Sequence, residues 1–137
     1  MPRTLGDLAL EVRSKNAGPF WTTLELFMRD EAGYAAAADE DFLNEDVIAR
    51  LYGTPAEQVR FFRVPALNVV KISFPRVVPQ GGFRDRDVHS GQHHVPLAAL
   101  TPPAADTRPA DPAATAATAT PPTSASPSTP ANPRNHP

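Results

Sequence analysis

Arg13-Ser14-Lys15-Asn16-Ala17-Gly18 sets two cations, a hydroxyl and an amide beside a glycine. In a turn, Arg13 could offer a bidentate fork and Lys15 a point charge to a carboxylate or phosphate. Backbone N–H groups near Gly18 would add donors to an oxyanion. Arg13, Ser14, Lys15, Asn16 and Gly18 are therefore the candidate ligand-binding residues. An ordinary solvated turn accounts for the same composition, and the Walker spacing of a P-loop is absent.

A second group runs from Asp85 to His94, with Asp85, Asp87, His89, His93 and His94 within ten residues. His89 and His93 are four apart, a spacing that gathers metal ligands only on a helix, and Gly91 opposes a helix there. A polar loop with surface histidines is the simpler reading, so no metal site is assigned. The third place is Glu25, between Trp21 and Phe27, with Asp7 and Glu11 as possible neighbours across strands. Apolar surroundings would raise its pKa and suit it to acid–base work. Its plainer role is to pair with Arg13 or Lys71 across a sheet. No Gly-x-Ser-x-Gly elbow, dinucleotide fingerprint or HExxH occurs.

The elements that must position these residues follow from periodicity. Leu8, Leu10 and Val12 alternate with Ala9, Glu11 and Arg13, a half-buried strand over 7–13, although Leu5, Leu8 and Val12 also fit a helix. Residues 20–28 form the clearest strand, with Phe20, Thr22, Leu24, Leu26 and Met28 on one face. A helix is expected over 29–40 with Asp30 as its cap, and a second from cap Asn44 to terminator Gly53. Its stripe is Val47, Ile48, Leu51 and Tyr52. A short turn at Thr54–Glu57 precedes strands at 59–64 and 68–74. Residues 75–92 read as a long irregular stretch, and 95–97 as a last short strand. The order implies an α+β fold: a small antiparallel or mixed sheet with two helices on one face.

Composition sets the outer limits. Ten of the 17 prolines fall at or beyond Pro102, and residues 101–137 contain no Leu, Ile, Val, Met or aromatic side chain. That segment has nothing to bury. The expected organisation is therefore an α+β domain at 1–98 and a disordered Pro/Ala/Thr-rich tail at 99–137. A net charge of −2 argues against nucleic acid as a partner. The absence of cysteine removes disulfides and thiolate chemistry. No apolar run has the length of a membrane span, so no membrane partner is expected and a cytoplasmic location is the default.

The string Arg13-Ser14-Lys15-Asn16-Ala17-Gly18-Pro19-Phe20 resembles a bacterial family of small domains of unknown function. These accompany, or are fused to, proteins of the acyclic terpene utilisation (AtuA-like) family. The likeness runs from about Leu5 to Leu97. It includes Thr23–Met28, Ile48-Ala49-Arg50-Leu51-Tyr52-Gly53, Pro65-Ala66-Leu67, Asp87-Val88, Gln92 and His94-Val95-Pro96-Leu97. The chain is also distantly similar to the ferredoxin-fold domain that closes many AtuA-like proteins, which implies a ferredoxin-like sandwich and favours strand over helix before Arg13. His89 and His93 depart from the family pattern, and His94 matches it. The resemblance implies an accessory or small subunit of an AtuA-like complex, with a large AtuA-like subunit or a second copy as partner. Its Arg13–Gly18 loop would complete a site for a small anionic ligand at a subunit boundary. The alternative is a stand-alone lyase or hydratase for hydroxy or unsaturated carboxylic acids or their CoA thioesters. It would use His94 and Asp87 as its acid–base pair. No cofactor is indicated.

Overall fold

The computed structural model describes residues 1–104, so the expected tail lies, from residue 105 onward, outside the described residues. Among the described residues the chain forms α1 (Leu5–Leu8), β1 (Ala9–Asn16), β2 (Trp21–Met28), α2 (Glu31–Ala37), α3 (Glu45–Tyr52), β3 (Arg60–Val64), β4 (Val69–Pro75) and α4 (His94–Ala98). The strands make one antiparallel sheet in the order β1-β2-β4-β3. This is the expected α+β class. Its chain order is two strands, two helices, then two strands.

The first three helices begin at side-chain caps, and α4 has none. Thr4 and Asp7 form a reciprocal capping box on α1. Asp30 accepts from the Gly33 N–H at 2.7 Å, and Asn44 from the Val47 N–H at 3.1 Å. Gly53 ends α3 in the left-handed region at φ +67°, where a side chain would be strained.

The inner face of the sheet carries Leu24 and Leu26 of β2 and Val70 and Ile72 of β4, all fully buried. Leu5 of α1, Leu43, Ile48 of α3 and Leu97 of α4 close the same core. Arg63 at the sheet edge donates to Ala38 O and Leu43 O, tying the α2–α3 connection to β3. The helix reading and the strand reading of the N-terminal segment each hold over part of it. α1 ends at Leu8, and a register shift follows between Ala9 and Glu11. That bulge breaks the Leu8–Leu10–Val12 alternation and leaves Leu10 66% exposed.

The strand expected at 95–97 is instead the helix α4. Leu97 has no neighbouring strand to pair with. It is buried under α1, and Leu5 N–H donates to Leu100 O at 2.8 Å. Packing therefore extends at least to Leu100.

Candidate functional site

β1 runs on to Asn16, so the Arg13–Asn16 string is strand and not loop. Successive strand residues point to opposite faces, and this divides the five candidate residues. Arg13 and Lys15 stand on the outer face. Ser14 and Asn16 stand on the inner face. Gly18 lies in the turn beyond, at φ +77° with open space around it. The five do not form one site, and the expected single anion-binding loop is corrected accordingly.

On the outer face, register places Glu25 between Arg13 of β1 and Lys71 of β4. Arg13 Nε lies 2.5 Å from Glu25 Oε2, and Lys15 Nζ lies 3.1 Å from Oε1. Arg13 also covers the Phe27 ring at 4.8 Å. The two cations thus already hold a carboxylate, the chain's own. Burial pushes the Glu25 carboxyl up, but the hydrogen bonds from Arg13 and Lys15 outweigh it and hold the pKa below its ordinary value. The raised pKa that acid–base chemistry would need is absent.

Ser14 and Asn16 anchor the long connection from 76 to 93. Ser14 Oγ donates to Ser90 O and lies 3.3 Å from His94 Nδ1. Asn16 Nδ2 donates to Val88 O at 2.6 Å. Arg76 is the centre of this region. Its side chain is 3% exposed and donates to Asp85 Oδ1 at 2.8 Å, to Asn16 Oδ1, and to the carbonyls of Val78 and Asp87. Asp85 in turn accepts from the Gly81 and Asp87 N–H groups, and Asp87 from the Gly91 and Gln92 N–H groups. These bonds replace the backbone ladder that the segment lacks.

His94 and Asp87 are not brought together. The His94 ring turns to Ser14, and the histidine facing Asp87 is His93, with Nε2 3.9 Å from Oδ2. His93 Nδ1 meets the Ser90 hydroxyl, which is also 3.1 Å from Thr22 Oγ1. Ser90 is fully buried and takes a left-handed φ of +57°. The Ser90–His93–Asp87 sequence has the residue types of a nucleophilic triad. The Ser90 hydroxyl is closed off from any substrate, so it fixes the His93 ring. Among the described residues no group of three or more His, Cys, Asp and Glu gathers to hold a metal ion. No helix there is long and apolar enough to cross a membrane.

His93, Asp87, Thr22 and Arg76 border a cleft of about 320 Å³ whose apolar wall is Leu51, Tyr52, Phe74, Val77 and Val78. Tyr52 stacks on Phe74 at 4.7 Å and donates its hydroxyl to His93 O. Burial pushes the Tyr52 phenol up to about 12, so it stays protonated.

Residues 5–101 match the family described as Domain of unknown function (DUF4387). The chain belongs to this family. The match takes in α1 to α4, so the DUF4387 domain contains both the outer-face cluster and the cleft. No curated protein and no solved structure matches the chain.

In this DUF4387 domain, burial lowers the His93 pKa below 6.5, and the partly opposing pull of Asp87 does not restore it. Arg76 lowers it further and Asp85 raises it. Below 6.5 the unfolded chain therefore binds a proton that the fold resists, and stability falls as pH drops through that window. The melting temperature should decline between pH 7.5 and 5.5, and His93→Gln should flatten that decline. The depressed carboxyls of Glu25 and Asp87 act only lower, below their ordinary values of 4.5 and 3.8. Calorimetry across the range checks this, and an equally steep decline in the variant would assign it to another group.

Proposed function

We propose that the domain is an accessory subunit that docks onto a larger AtuA-like protein through the outer face of its sheet. The observation that carries this reading is the chemistry of that face. The helices bury their apolar side chains on the inner side, while the outer side presents Phe62 of β3 at 51% exposure and, across β4, the partly covered Trp21 and Phe27 of β2. Arg13, Lys15, Arg60 and Lys71 share it with Glu11 and Glu25, an excess of positive charge on a chain that is negative overall. Exposed aromatic side chains on a face that also carries arginine match the composition of protein interfaces, and the lysines suit its polar rim. Like charge disfavours a symmetric pairing of two such faces and favours an acidic partner surface. The sequence resemblance supplies the partner family.

A catalytic role for His94 and Asp87 gains no support, since the two are apart. Co-expression with an AtuA-like protein followed by size-exclusion chromatography tests the proposal. The wild-type chain should co-elute. Phe62→Asp with Arg60→Glu should weaken association by at least about 30-fold, the scale of a lost hot spot, with the melting temperature little changed, since Arg60 is exposed and bonds only to nearby backbone carbonyls. Elution as a free monomer, or a homodimer lost in the same variant, would overturn the AtuA-like partner.

A further inference from the structure

The cleft between β2, α3 and the 76–93 connection lies on the inner side of the sheet, away from the docking face, and stands independently of it. Its two carboxylates are committed. Asp85 is held by Arg76 and two backbone N–H groups, and Asp87 by the Gly91 and Gln92 N–H groups. Its guanidiniums divide differently. Arg76 is consumed within the connection, whereas Arg84 and Arg86 line the same cleft, exposed, with no hydrogen bond or ion pair among the described residues. Two unspent forks thus stand at the rim of a cavity whose wall is aliphatic and aromatic.

We infer that this cleft binds a small amphipathic acid, its anionic head on Arg84 and Arg86 and its short apolar chain against Tyr52, Phe74 and Val78. A guanidinium recognises a carboxylate or a phosphate by the same two parallel N–H···O bonds. A volume of about 320 Å³ is at the small end of ligand sites, which suits a single short chain. The Tyr52 and Thr22 hydroxyls already have partners, so the wall behaves as an apolar surface toward a ligand. His93 Nε2 faces Asp87 at the inner end, where it can meet a polar substituent on the chain.

Octanoate, octyl phosphate and octanol, titrated into the full chain and followed by amide NMR shifts, separate the head from the tail. Octanoate or octyl phosphate should saturate shifts at the cleft residues and bind at least tenfold more tightly than octanol. Whichever of the two binds more tightly identifies the head group. Arg84→Gln with Arg86→Gln should remove that tenfold advantage and leave octanol binding and the melting temperature unchanged. Val78→Trp, which fills the cavity, should weaken all three, and serves if the double variant fails to fold. Equal affinity for octanol, full retention of binding in either variant, or shifts confined to the outer sheet face would overturn the inference.

Discussion

Replacing Arg76 by alanine is expected to lower the melting temperature by about 10 °C or more, far beyond the effect of removing any exposed arginine. The arginine holds Asp85, Asn16 and two backbone carbonyls, and both partners of the Arg76–Asp85 pair have side chains 3% exposed. Without it, Asp85 keeps its backbone donors but loses its counter-charge while its side chain stays largely covered. Removing one partner of such a pair costs more than the pair itself contributes, because the other charge stays desolvated. Arg76→Lys should recover little, since one ammonium cannot reach four acceptors arranged around a planar fork. Hydrogen exchange should localise the damage. Amides of Gly81, Asp87, Gly91 and Gln92 should lose protection first, before those of β2 and β4. Uniform loss across the sheet would mean that Arg76 supports the whole fold and not this connection.

Ile72→Ala should destabilise the domain by about 2–5 kcal/mol, the range for deleting a large buried aliphatic side chain. Ile72 is fully buried and lies in register with Leu24 on one side and Phe61 on the other. Its neighbours belong to strands fixed by hydrogen bonds, so the void cannot collapse easily. Phe62→Ala removes a larger side chain from the adjoining strand but should cost less than about 1 kcal/mol, because half of that ring is already in water. Chemical denaturation of the two variants measures the contrast directly. Comparable losses would show that the outer face is packed and would remove the basis for docking there.

Much of the fold could be read from periodicity. β2, β4 and α3 carry clean alternation or a clean stripe, and their caps are the residues that stop and start such elements. The rest failed for physical reasons. The bulge after Ala9 reverses which side chains face inward, and no composition rule marks a bulge. Val95-Pro96-Leu97 is too short to separate strand from helix by period, and its contact with Leu5 decides it.

The candidate site was legible in part. Glu25 pairs with Arg13 as cross-strand reasoning expected, because the register between β1 and β2 follows from the hydrophobic faces. Treating Arg13–Gly18 as a turn hid the alternation that sends Arg13 and Ser14 to opposite sides. Arg76, Tyr52, Thr22 and Ser90 were missed, since each acts through partners at least 40 residues away in sequence or inside an irregular segment. A weak signal existed for Arg76, a cation directly after Pro75 with Asp85 and Asp87 following in the same irregular stretch. His93 and His94 are adjacent, and only the turn into α4 decides which ring faces Asp87.

The bond from Leu5 N–H to Leu100 O has a bearing on how this unit can be used by larger chains. It places the two ends of the family-matched stretch side by side. A unit with adjoining ends can be spliced into a surface loop of another protein without prising that loop open. It can equally be joined at either end, or have its native ends linked and new ones cut at the exposed turn around Gly18. Such a permuted chain should keep the sheet order, because the register pairs from Ala9–Met28 to Asn16–Thr22 all lie outside that turn.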